Sequence, residues 1–418
     1  MTNLKYFLKR IIAPTLSLCY NKSSIGEKGK EIMQFIHSTE LKPGYRIAKP
    51  IYNKDGVLLY ERNSRLTAPA INSIQNFGLI GIYILEPAEP VPPFTREDLE
   101  FEQAQTIYLF KLRDIFEKLY KRQHMDKLED LVNDIVKRYG NLNHRVNFNQ
   151  NLRSSHDFMY KHATSVAILS AMIGQHIDMP EQNFKALITA SILYGFGYRF
   201  MAKNIVSKEA NFTEFDYQTK QAALEKGIIY MNTATDSIPY LPKAIRIAEY
   251  FILSNNTERS VAQPSEDILL LAEILKVAVE FDLQTGMLMG HKPQSEIMAM
   301  KSLHERAGEF NSTIVNILAQ CIHIIPAGAS VNLNNGDKAI VLAENPNDYM
   351  QPLILRLRDN NIYDLSDPSI NHRIYIEDIM KTMDNRIAIN IETLRQFKAD
   401  ERIIEITKRY KEKKDTRL

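Results

Sequence analysis

Residues 156–177 read HDFMYKHATSVAILSAMIGQHI. After its first turn this stretch is almost continuously apolar, interrupted from Ala163 to Ile173 only by Thr164, Ser165 and Ser170. A helix that is apolar all round has no solvated face, so it belongs at the centre of a helical assembly. Apolar residues at helical spacing continue on its C-terminal side. They predict helices over Gln182 to Leu193, Glu214 to Met231, Pro242 to Leu253, Glu266 to Phe281, Gln294 to Arg306 and Asn311 to Ala319. Residues 151–325 therefore read as an all-helical core.

The flanks read differently. Thr95 can open a long helix, with Glu97 and Asp98 placed for its N-terminal dipole, and helical spacing persists to about Arg138. Asn141 to Asn151 is a polar break. Before this helix, Glu86 to Pro93 holds four prolines in eight residues, a stiff linker that continues neither a helix nor a central strand. Residues 36–86 read as a small α/β module. Its strands, Tyr45 to Tyr52 and Val57 to Tyr60, flank the turn Asn53-Lys54-Asp55-Gly56. Thr67 caps a short helix that Gly78 ends, and Ile82 to Leu85 is a further strand. Residues 326–385 return to strands, with a hairpin signal at Asn334-Asn335-Gly336-Asp337. Residues 386–418 read as a charged helical tail with a solvated face, and residues 1–35 as a short, frayed leader rather than a signal peptide.

The composition sets bounds on function. The chain has 418 residues, 44% of them hydrophobic and 24% charged, which excludes a disordered chain. The net charge is +2, so nothing global points to nucleic acid or anionic lipid. No stretch of about 18–20 uncharged apolar residues is present, so no span is expected. The two cysteines, Cys19 and Cys321, give neither a zinc pattern nor a disulfide framework, and a reducing cytoplasm is the expected location. There is no P-loop, no Gly-x-Ser-x-Gly elbow and no Cys–His pair by motif; Cys321-Ile322-His323 reads as structural.

The order of parts resembles the HD-GYP proteins of bacteria. ELKPGYRIAKPIYNKDGVLLYERNSRLTAPAINSIQNFGLIGIYIL, residues 40–85, looks like their N-terminal module. YKHATSVAILSAMIGQHI, residues 160–177, looks like the helix with the family's first metal-binding histidine. ALITASILYGFGYRFMAKNIVSKEANFTEFDYQTKQAALEKGIIYM, residues 186–231, resembles the segment with the His-Asp pair and the next histidine. Residues 269–303 resemble the helix with the last metal-binding aspartate, and residues 308–346 the C-terminal helix and β extension. The resemblance covers about residues 38–385. It implies a mainly α protein whose helical HD-type core lies between a small α/β module and a small β extension. It also implies hydrolysis of cyclic di-GMP by Fe or Mn ions, which lower the pKa of a water and stabilise the leaving oxygen.

Placed against that pattern, most ligand positions hold other residues. His162 fills the first position, and Phe158 stands where some members carry a Glu ligand. The His-Asp pair falls on Tyr194-Gly195; Gly197 is kept, followed by Tyr198 in place of Lys. The next histidine falls on Ala223, the paired histidines near Glu249-Tyr250, and the last aspartate on Val279, with Asp282 nearby. Neither Gly nor Tyr occurs in Asn255 to Gln263, where the Gly-Tyr-Pro loop should lie. His156-Asp157 precedes the first-histidine position and reads as a helix N-terminal turn. Gly195 and Gly197 read as packing glycines. A replacement site was sought among Glu249, Glu258, Glu280, Asp282, His291 and His304, and none has ligand spacing.

A single imidazole does not hold a catalytic metal pair, so His162 reads as a satisfied core histidine. The expectation is a catalytically degenerate HD-GYP-like protein without metal cofactor, in which Tyr194, Ala223 and Val279 close an apolar cluster around His162. It would act by binding a protein partner and could form a homodimer. The alternatives are a receptor that binds cyclic di-GMP without cleaving it, and a phosphodiesterase with an unorthodox metal site.

Overall fold

The computed structural model describes residues 33–77, 79, 81–85, 94–150, 153–202, 205, 213–234, 236–254, 262–288, 293–380 and 386. The proline linker, Gly78, the tail from residue 387, Glu258 and His291 lie outside the described residues, as does most of the 255–263 loop. Helices dominate, as the spacing predicts.

The N-terminal sheet has the order β1-β5-β2, with β1 Met33–His37, β5 Gly81–Leu85 and β2 Arg46–Ile47. Both outer strands pair antiparallel to β5, with Phe35 opposite Tyr83 and Ile47 opposite Ile84. The first strand thus begins at Met33, inside the segment read as leader. Tyr45 to Tyr52 is two strands rather than one, because β3 Ile51–Tyr52 leaves the sheet to form a hairpin with β4 Leu58–Tyr60. The turn between them closes as the residues demand: the Asn53 carbonyl oxygen of the side chain accepts from Asp55 N and Val57 N, and Gly56 sits at φ +77°. Helix α1, Ala68–Asn76, starts at Thr67, whose hydroxyl accepts from Ala70 N.

Helix α2, Arg96–Tyr120, opens on a reciprocal capping box between Thr95 and Asp98. It does not run on to Arg138. The chain breaks at Lys121, Arg122 takes a left-handed φ of +56°, and α3 follows at Leu128–Tyr139. No Gly or Pro marks this break; a tertiary tie makes it. Met125 is buried, and its N–H donates to Asp236 Oδ1 at 2.6 Å.

The decisive helix is α4, Phe158–Gly174, in which every residue from His162 to Gly174 is buried. Helices α2, α3, α5 Glu181–Leu193, α8 Glu266–Thr285 and α10 Ser312–Cys321 pack around it. At about 1.5–3 kcal/mol for each fully buried Leu or Ile, this helix anchors the core. A 3₁₀ segment, Tyr194–Phe200, continues α5 and lies against α6 Glu214–Met231. The two backbones meet at glycines: a Cβ on Gly197 would stand 2.5 Å from Leu224 Cα, and one on Gly227 would stand 2.8 Å from Gly197 Cα. Gly197 is thus a packing glycine, as expected. Helices α7 Leu241–Ser254 and α9 Glu296–Glu305 complete the helical layer.

The C-terminal sheet is antiparallel with the order β10-β6-β7-β8-β9. Its strands are β6 Ser330–Leu333, β7 Lys338–Ala343, β8 Leu353–Arg356, β9 Asn361–Asp364 and β10 Ile376–Ile379, with a short helix α11, Pro368–Asn371, before β10. His323 Nδ1 bonds Glu344 Oε2 at 2.6 Å, tying the end of α10 to β7. Cys321 donates to Met172 O, which fits the structural reading of that segment.

Candidate functional site

His162 is completely buried, and both ring nitrogens are engaged. Nδ1 lies 2.5 Å from Asp282 Oδ2. A carboxylate only accepts, so Nδ1 carries the proton, and in the neutral ring Nε2 accepts from the Tyr194 hydroxyl. Phe158 stacks on the imidazole at 5.1 Å and 17°, and Tyr198 meets it edge-on at 5.5 Å.

Asp282 is held on its other side by Arg153. Nη1 reaches Oδ2 and Nη2 reaches Oδ1, each at 2.6 Å, a bidentate fork with both side chains at most 2% exposed. Gln150 completes the cluster. Its amide nitrogen donates to Asp282 Oδ1 at 2.9 Å and to Thr285 Oγ1 at 3.2 Å, and its carbonyl oxygen accepts from Arg153 at 2.6 Å. Ser165 Oγ lies 3.3 Å from the same Nη2 and shares its two N–H groups with Asp282 and Gln150.

Local structure puts these groups in place. Arg153 N–H donates to Met287 O at 2.7 Å, which pins the strand-like entry to α4 beside the end of α8. There the chain carries Gly286, where a Cβ would stand 2.7 Å from Arg153 Nη1, so glycine leaves the space the guanidinium fills. Burial alone would push the Asp282 carboxyl up, but the Arg153 charge and the hydrogen bond from His162 hold it well below the usual carboxylate range.

The positions singled out in the sequence fall as follows. Tyr194 is brought onto His162, and its ring packs edge-on against Phe251 of α7. Gly195 backs onto Ala163, where a Cβ would meet Ala163 Cβ at 3.2 Å. Ala223 lies against Gly197, with its carbonyl oxygen 3.0 Å from where a Gly197 Cβ would be. Glu249 and Tyr250 are half-buried on α7, next to the Phe251 that reaches Tyr194. Val279 is buried on α8, but the residue whose side chain reaches His162 is Asp282, three positions on. The expected closed apolar cluster is therefore corrected: the surroundings of His162 are closed, and they contain a buried ion pair. His156-Asp157 is a helix N-terminal turn as read, with Asp157 accepting from Ser154 N at 2.7 Å and pairing with Lys161 at 2.6 Å. Glu280 is not part of the cluster but pairs with Arg306 at 2.6 Å, and His304 is exposed.

Arg153 and Gln150 were not singled out. The available signal was Asp282 itself, a carboxylate between Phe281 and Leu283 on the apolar side of its helix, which demands a partner when buried.

The chain is 20% identical over 204 residues to a cyclic di-GMP phosphodiesterase of Pseudomonas aeruginosa. The match covers 49% of this chain, and the chain spans about half the length of that relative. The likeness supports the family resemblance and nothing finer. No family model and no solved structure matches the chain. Among the described residues, no helix is long and apolar enough to cross a membrane.

Proposed function

We propose that this protein is a degenerate HD-GYP-like signalling protein, in which an internal ion cluster stands where the resemblance implies metal ions, and that it acts by binding a protein partner. The observation that carries this reading is the state of His162. A transition metal needs a lone pair from each ligand. Nδ1 faces and donates to the Asp282 carboxylate and Nε2 is bonded to the Tyr194 hydroxyl, so neither nitrogen offers a free lone pair. Both Asp282 oxygens are taken by a guanidinium, which does not deprotonate in proteins. These residues, so bonded, do not fit a catalytic Fe or Mn pair. The Arg153 cation supplies the positive charge that the carboxylate requires.

The reading extends to organisation. The helical layer around α4 is taken as the HD-type core. The β1–β5 module and the C-terminal sheet would then be its appendages and candidate partner surfaces.

Metal analysis of the full-length protein, expressed with added iron and manganese, tests the reading. Well under one Fe or Mn per chain and no cleavage of cyclic di-GMP are expected. Two metals per chain, or hydrolysis lost on treatment with chelator, would overturn it. Calorimetry with cyclic di-GMP separates a partner-binding protein from a receptor: saturable binding without cleavage would favour the receptor.

A further inference from the structure

A cavity of about 170 Å³ lies where the N-terminal sheet meets α2 and the start of α4. Of its lining residues, only Arg153 and Ser165 also belong to the buried cluster; His162 does not line it. Its walls carry the cations Lys49, Arg113, Arg153 and Lys161 and the carboxylates Glu102 and Asp157. Most of this charge is compensated internally. Lys49 pairs with Glu102 at 2.6 Å, Lys161 with Asp157 at 2.6 Å, and Arg153 with Asp282. Arg113 is different. Its guanidinium lies over the rings of Phe110 at 5.4 Å and Tyr160 at 5.5 Å, and among the described residues no carboxylate pairs with it. One cation is thus fixed by ring faces, on a wall whose other charges are neutralised.

Five aromatic side chains, Phe35, Tyr52, Phe77, Tyr83 and Phe110, stand among aliphatic and small polar residues in the remaining lining. The size admits a single aromatic ring, since about 150 Å³ is enough to hold benzene. Polar groups at the edge of such a cavity then fix orientation. We propose that this cavity binds a small aryl anion, with its ring against the aromatic side chains and its carboxylate or phosphate on Arg113. Because the ligand would touch β5, α2 and α4 together, it would bind the folded seam and not the unfolded chain, and so stabilise the protein.

The test uses the full chain with benzoate and phenyl phosphate as probes, followed by calorimetry and by the shift in thermal midpoint. Saturable binding of either probe is expected. It should weaken about tenfold or more in Arg113→Gln, the scale of one charge-assisted hydrogen-bonded contact. Benzyl alcohol, which keeps the ring without the charge, should bind as weakly as the Arg113→Gln variant binds benzoate. A second variant, Thr106→Trp, fills the cavity from α2 and should abolish binding while leaving Arg113 in place. The proposal is overturned if neither anion binds, if binding is unchanged in both variants, or if inorganic phosphate binds as tightly as phenyl phosphate. The metal content of the protein does not enter any of these readouts, so this proposal can fail while the reading of His162 stands, and the reverse.

Discussion

Replacing Arg153 with Met is the most direct probe of the cluster. The substitution keeps an unbranched side chain and removes the guanidinium. Asp282 then loses two N–H···O bonds of 2.6 Å and its counter-charge at a site with no exposure. Gln150 loses the donor to its carbonyl oxygen. Removing one partner of a buried ion pair costs about 3–5 kcal/mol, because the remaining charge stays buried without compensation. Against a typical total stability of about 5–15 kcal/mol, that loss is readily measured.

The double variant Arg153→Met with Asp282→Leu separates charge from packing. With both charges gone, the desolvation problem disappears, and such exchanges are often near neutral. Two defects remain, since His162 Nδ1–H has lost its acceptor and the buried Gln150 amide its bonds to Arg153 and Asp282, each at a cost of about 1–3 kcal/mol. The double variant is therefore expected to be more stable than Arg153→Met alone. Urea unfolding followed by far-UV circular dichroism at pH 7 gives all four corners of the cycle. If Arg153→Met costs less than about 1 kcal/mol, or if the two single losses simply add, the cluster is not the coupled, desolvated unit described here.

Other outcomes follow from the same geometry. The Asp282 carboxyl is held below its ordinary value in the fold, so its contribution is complete above the unfolded value of about 4 and is lost as pH falls below it. Urea titrations should show the stability gap between wild type and Asp282→Asn constant from pH 7 to about 5 and shrinking below about 4; a gap that widens on acidification contradicts this. Gly197→Ala places a methyl 2.5 Å from Leu224 Cα and should cost about 1–3 kcal/mol through backbone displacement, read as a lower unfolding midpoint. Burial pushes the Cys321 thiol up to about 12, which leaves about one thiolate in ten thousand at pH 8. In a Cys19→Ser background, a thiol reagent should therefore react slowly with the native protein and fast in urea, and rapid native labelling would show that this thiol is reachable.

Most helices were legible because their apolar residues repeat at 3.6 and their starts carry capping residues. Thr95 and Thr213 both form capping boxes, with Asp98 and Asp216, and the helix read at Glu214 to Met231 has those bounds. The break after Tyr120 was not legible. Lys121 to Lys127 has no helix-breaking residue, and what stops the helix is the bond from Met125 N to Asp236, more than a hundred positions away in sequence. Likewise, nothing local distinguishes Met33 from the residues before it; its strand exists because β5 offers an edge to pair with.

The candidate site shows the same division more sharply. Val279 and Asp282 lie three residues apart on one helix, hence about 60° apart around its axis, and a resemblance placed only to within a few residues does not separate them. The fold does. Gly286 opens space on the same side of α8 as Asp282, and Arg153, fixed by its backbone bond to Met287, puts its guanidinium there. Reading the sequence for ligands at their places finds one histidine and reports vacancies filled by Tyr, Ala and Val. Charge gives a different description. An aspartate in an apolar helix face is not a bystander, because burial without a cation would keep it protonated. A cation had to come from somewhere, and it comes from a loop arginine outside every motif. In a buried polar site, the electrostatic balance of the whole constellation is thus a better guide to its chemistry than the residue at any one position.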